Sequence, residues 1–267
     1  MNRDQQRRQW LKRHNTYERL AYRKFIKLLR EQALNVNYDL VISENLPITI
    51  KEDAFIKIYY EVYKEIGIIH GTRLGKELNR EIKEFTLTGF LSEFERNLLT
   101  WLYENSLSNI RSVSLDFVKY LQEFITAKRQ ENLTIAEISR EIVKLINRRD
   151  FYRWQALRIA RTETTAAANY ASIQVGNTSR IVYQKMWLSA TDARTRRPPK
   201  SEFNHFTMDG VKVEMNEKFK VPFMGGFQEM TFAGDPKGSA GNVINCRCSN
   251  VLVPKRDANG NVIRKIV

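Results

Sequence analysis

Cys246 and Cys248 stand one residue apart near the end of the chain and are its only two cysteines. Asp235-Pro236 and Asn245 precede them, and Asp192, Arg194, Arg196, Arg197 and His205 lie further upstream in a stretch rich in turn-forming residues. Three chemistries are open to this set. A Cys-x-Cys pair on a strand sends both sulfurs to one face, so His205, Cys246 and Cys248 could ligate zinc, with Asp192 or Asp209 as a fourth ligand. The usual zinc signatures space their cysteines by two to four residues, and the alternative is a pair of buried thiols packing as small hydrophobes. A nucleophilic thiolate would need a nearby histidine, a residue orienting that histidine, and a lowered thiol pKa; Arg247 serves only the last need. Finally, Arg194, Arg196, Arg197 and Lys200 with His205 could bind phosphate or cut nucleic acid. Against that stands a basic loop that Pro198-Pro199 stiffens as an exposed, extended segment.

No Walker loop, dinucleotide fingerprint or His-Glu-x-x-His motif is present. A Cys246–Cys248 disulfide would be strained, because side chains at i and i+2 of a strand point the same way without converging. Reduced thiols are expected.

The elements that must position these residues are mostly helical. Residues 3–30 carry ten Lys and Arg against Asp4 and Glu18, interleaved with Trp10, Leu11, Tyr17, Leu20, Phe25, Leu28 and Leu29. That spacing predicts a helix with a narrow apolar stripe and a broad basic face. Arg7, Arg8, Lys12 and Arg13, together with Arg194, Arg196 and Arg197, are the expected contacts to DNA or to an acidic partner. Pro47 breaks the pattern. Residues 51–85 then read as a long amphipathic helix whose Gly67, Gly71 and Gly75 fall on one face for close packing. His70 among them reads as a surface or core histidine. A second helical stretch, residues 90–128, should break near Ser106–Ser108. Thr134 with Glu137 forms a capping box for the next helix, which Arg148-Arg149-Asp150 ends, and another helix runs over 151–175.

After Gly176 the composition changes to short strand-like runs with Pro, Gly and Asp, and Asn259-Gly260 predicts a hairpin turn. The fold class expected is mainly α: a long-helix bundle over residues 1–179 and a small α+β domain over residues 180–267.

The formal charge is +14, which favours phosphate or an acidic protein surface. Apolar content of 42% suits a folded chain, no run is long enough to span a bilayer, and the start lacks a signal peptide, so an intracellular product is expected.

One ordered combination is more specific than any piece of it. Arg161 and Glu163 within Arg158-Ile159-Ala160-Arg161-Thr162-Glu163-Thr164, then Trp187 through Asp192 to Arg196, His205, Asp209-Gly210, Asp235-Pro236 and Asn245-Cys246-Arg247-Cys248 follow one another in the order that resembles the phage head morphogenesis family, the minor head proteins similar to the F protein of phage Mu. The resemblance covers the last part of the chain and implies a structural role. It implies a virion protein, in few copies, in the capsid interior near the portal. Its partners would be the portal protein, the major capsid or scaffold protein, and DNA. No enzymatic activity is implied, and zinc remains the one cofactor to consider. The competing expectation is a nuclease or toxin-like enzyme using His205 and the nearby arginines.

Overall fold

The computed structural model describes residues 2–80, 82, 85–131, 133–148 and 152–266. The helices are α1 (Arg3–Leu34), α2 (Tyr38–Ser43), α3 (Glu52–Asn79), α4 (Leu87–Asn105), α5 (Leu107–Gln130), α6 (Ile135–Asn147) and α7 (Arg153–Thr178), followed later by the single turn α8 (Ala240–Val243). The strands are β1 (Tyr183–Leu188), β2 (Lys212–Glu214), β3 (Phe219–Phe223), β4 (Gly226–Met230) and β5 (Ser249–Pro254). The protein is mainly α, with long helices first and a small strand-bearing region last, as expected.

Local rules set many boundaries. Asn2 and Gln5 form a capping box at α1, and Thr134 with Glu137 forms the expected one at α6. The long second stretch breaks at Ser106, where α4 ends and α5 begins. The three glycines of α3 are a packing face: a Cβ on Gly67, Gly71 or Gly75 would sit 2.1, 2.1 and 2.2 Å from the rings of Phe94, Phe90 and Phe85. Each phenylalanine therefore lies directly against the α3 backbone. Residues 149–151, where the end of α6 and the start of the next helix were expected, lie outside the described residues.

Helix α7 is the axis of the molecule. Its sequence Thr164-Thr165-Ala166-Ala167-Ala168-Asn169 is small or short all round, and every one of these side chains is buried. Small residues let α1, α3 and α4 approach one side while β5 and the loop before it cover the other. One core runs from α1 through α7 into Ile181, Tyr183, Leu188, Phe232 and Leu252. A second, smaller core gathers Trp187, Met208, Phe219, Val221, Met230, Val243, Cys246 and Cys248.

Strand β1 is the centre of an antiparallel sheet ordered β2-β1-β5, with Trp187 opposite Asn250 and Met186 opposite both Lys212 and Val251. The hairpin β3–β4 stands apart as a second sheet. Alternation along β1 sends Lys185 and Trp187 toward that hairpin, where both meet the Phe219 ring.

Two local expectations are corrected. The Pro198-Pro199 bond is cis and the segment turns, with Ser201 N–H donating to the Arg197 carbonyl, so it is not an extended rod. The terminal hairpin exists, through the bridge between Arg256 and Val262, but its turn spans Asp257–Gly260. Only Gly260 has positive φ (82°), and the Asp257 carboxylate organises the loop by accepting from the Asn259 and Asn261 amides.

Candidate functional site

The segment Asn245–Asn250 is the inner wall of the small core, and helices α1 and α7 hold its backbone. Along one face of α7, at helical spacing, Thr162 Oγ1 accepts from the Asn245 amide at 3.0 Å, Thr165 Oγ1 donates to the Cys246 carbonyl, and Asn169 Nδ2 donates to the Cys248 carbonyl at 3.1 Å. From α1, Trp10 Nε1 donates to the Arg247 carbonyl at 2.7 Å. Asn245 itself sits at φ 59°, a conformation asparagine tolerates, and this kink turns the chain from α8 into the Cys-Arg-Cys run.

That run, which leads into β5, sends its side chains to opposite sides. Cys246 and Cys248 point into the core with His205, and all three are at most 2% exposed. His205 Nδ1 lies 3.6 Å from each sulfur, and the three potential ligand atoms fall within 4.8 Å of one another. Both cysteines are free. Hydrogen bonding with Cys248 and burial push the Cys246 thiol up; the same hydrogen bond, with His205 beside it, holds Cys248 down. The other nitrogen of His205, Nε2, faces Asn242 Oδ1, and the Trp187 ring packs edge-on at 5.4 Å.

Arg247 points the other way and pairs with Asp192 through Nη2, 2.6 and 2.5 Å from the two carboxylate oxygens. Burial alone would raise Asp192, but the guanidinium outweighs it and holds the carboxyl below its ordinary range. Asp192 also accepts from the Arg194 amide at 3.0 Å, so it fixes its own loop. Asp192 is thus paired with an arginine, and neither proposed fourth carboxylate is directed at the cysteines. Asp209 instead accepts from Arg7 Nη2 at 2.9 Å, from Arg3, and from the Ser189 amide at 3.0 Å.

The remaining sequence candidates fall into three groups. Arg196 donates to the carbonyls of Gly241 and Ile244, closing the C-terminal end of α8, and Asp235 accepts from the amides of Thr231 and Lys237 at 2.7 and 3.0 Å. Pro236 lends its carbonyl to Asn109 on α5. These residues build the small region, as does Trp187. Arg161 instead joins α7 to α1 through Glu18 at 2.9 Å, and Glu163 faces the helical core, accepting from Tyr63 Oη at 2.7 Å. Of the contact residues, Arg7 and Arg13 turn inward, Arg13 onto Glu77. Arg8, Lys12, Arg194 and Arg197 are exposed, the last lying over the Phe206 ring at 5.1 Å.

Sequence reasoning missed Asn169, Asn242, Thr165 and Ser189. Asn169 carried one usable signal, a carboxamide inside a run of small residues too apolar to face water. Asn242 and Ser189 carried none, because their roles depend on partners far along the chain.

No curated protein and no solved structure matches the chain. A family model does: residues 125–251 match the family described as phage Mu protein F like protein. The match begins in the last turns of α5, earlier than the motif residues, takes in α6, α7 and the whole His-Cys-Cys neighbourhood, and stops inside β5. Over residues 125–251, just under half of its length, the chain is similar to the phage Mu F-like proteins, which supports the resemblance to the phage head morphogenesis family that its ordered motif residues carry.

Proposed function

We propose that the protein is a minor capsid protein carried inside the phage head near the portal, contacting the portal protein or the neighbouring capsid or scaffold protein through its helical body, and touching the packaged DNA. The match over residues 125–251 carries the reading. Two features of the molecule support its finer parts. The motif residues spend their polar groups on one another and on backbone, which leaves the outer helical surface for partners. And α1 presents a basic stripe: at about 100° per residue, Arg8, Lys12, Arg19, Arg23, Lys27 and Arg30 fall within roughly one third of the helix circumference and run about 33 Å along it. Arg8, Lys12, Arg19 and Arg23 have no carboxylate partner among the described residues. A stripe of that length suits duplex phosphates, which are bound by charge without sequence readout.

The nuclease reading meets a geometric obstacle. His205 is 1% exposed with both ring nitrogens engaged, so a phosphodiester cannot reach it in this arrangement. Quantifying the protein in procapsids assembled with and without the portal tests the portal contact. The proposal expects its loss from portal-free shells; undiminished incorporation there removes the portal from its partners.

A further inference from the structure

The His205, Cys246 and Cys248 cluster has chemistry that packing does not need. In a tetrahedral zinc centre, with bonds of about 2.3 Å to sulfur and 2.0–2.1 Å to nitrogen, neighbouring ligand atoms stand roughly 3.5–3.8 Å apart. The observed Nδ1-to-sulfur separations of 3.6 Å match that spacing on both sides.

The tautomer points the same way. Asn242 Nδ2 donates to Gln228 Oε1 at 2.8 Å, which leaves Oδ1 facing His205 Nε2. An amide oxygen only accepts, so this assignment puts the hydrogen on Nε2 and a lone pair on Nδ1, aimed between the two sulfurs. A ligating histidine is held this way, with its second nitrogen donating to a fixed oxygen. Gln228 in turn accepts from the Ser239 amide at 3.1 Å, so the orienting amide is itself oriented.

Two thiols converge on the one lone pair, and only one S–H can donate to it; the other partner within reach is Ser189 Oγ, at 3.8 Å from the Cys248 sulfur. Two thiolates and a divalent ion are together neutral, which suits burial, whereas a lone buried thiolate is costly.

We propose that His205 Nδ1 and the thiolates of Cys246 and Cys248 bind one structural zinc ion that closes the small core. Binding exchanges two thiol protons for the ion: Zn²⁺ joins two Cys–SH groups to give a Zn(S-Cys)₂ unit and two released protons. Asp192 and Asp209 are committed to Arg247 and to Arg7, so the fourth position falls to water or to Ser189 Oγ, 3.8 Å from the Cys248 sulfur. Soft thiolates with one imidazole select zinc over magnesium or calcium. The inference stands apart from where the protein sits in the phage.

The test is metal content and cobalt spectroscopy on the full chain purified without chelator. About one zinc per chain is expected by elemental analysis, replaceable by Co²⁺ with thiolate-to-cobalt charge transfer in the near ultraviolet and the strong visible bands of a four-coordinate ion. Cys248→Ser should weaken the charge-transfer band by about half, one thiolate of two remaining. Asn242→Ala, which leaves all three ligands in place, should lower zinc affinity by about 10–100-fold. Wild-type protein that is free of zinc and gives no charge-transfer band on cobalt titration overturns the proposal, leaving buried thiols as small hydrophobes. So does a Cys246→Ser/Cys248→Ser double variant that keeps the wild-type zinc content.

Discussion

Asn169 is fully buried, and its side-chain amide makes four hydrogen bonds: to the carbonyls of Ala233 and Cys248, from the Asn250 amide, and from Ser249 Oγ. Asn169→Ala would orphan several backbone groups at once, and we expect a loss of roughly 3–5 kcal/mol in urea unfolding, larger than a typical core truncation of similar size. A loss under about 1 kcal/mol would mean that water replaces the amide. Glu163 is a second residue with a sharp consequence. Burial lifts its carboxyl to about 7, with the Tyr63 hydroxyl as its hydrogen-bond donor, so it is protonated in the folded state where the unfolded chain is ionised. Its contribution to stability is present below about pH 4.5 and is lost as the pH rises through 7. His14 and His70 act in the opposite sense. Both are buried and lowered to about 3, so their contribution is present above about pH 6.5 and is lost on acidification. Because the two slopes oppose, the informative quantity is the difference between the wild type and Glu163→Gln. That difference should fall by a few kcal/mol in the wild type's disfavour between pH 4.5 and 8 and be flat in more acidic solution. No change with pH would show that the carboxylate is ionised in place.

The elements show which parts of the chain speak locally. The capping box at Thr134, the break at Ser106 and the glycine face of α3 were legible because each depends on residues within a few positions. The short strands β2, β3 and β4 were not. Each is only three to five residues long, too short for alternation to stand out from its polar and turn-forming surroundings, and pairing with β1 and with one another decides them. The candidate site divides in the same way. Residue types marked Asp192, His205 and the cysteines, and strand alternation foretold that the two sulfurs would share a face. Nothing local could foretell that α1 and α7 supply the hydrogen bonds to the backbone between them. For α3, Gly71→Ala drives a methyl into the Phe90 ring, and a cost of roughly 1–3 kcal/mol is expected, partly recovered by Phe90→Leu in the same chain. Additive effects in that double variant would show that the two do not touch. For α1, alanine at Arg8, Lys12, Arg19 and Arg23 should flatten the salt dependence of duplex-DNA binding by about 0.9 in log–log slope for each phosphate contact removed. An unchanged slope would place the DNA contact elsewhere, or nowhere on this chain.

At the scale of the whole molecule, the division expected at residue 179 is less a boundary than a seam. Helix α7 belongs to the helical body by sequence, yet one of its faces is the floor under the Cys-Arg-Cys segment, and the main core continues into β1 and β5. The family match crosses that seam without pause, from α5 into β5. Among the described residues, no helix is long and apolar enough to cross a membrane. A basic chain whose marked residues turn inward, and whose outer helix carries the positive stripe, fits attachment inside a DNA-filled shell. The measurement that tests this most directly is localised electron cryo-microscopy of the portal vertex in purified, DNA-filled heads. The account predicts density for the helical body on the inner side of that vertex, in few copies and with the α1 stripe toward DNA. Heads that lack the protein, or that carry it evenly over the shell, would contradict it.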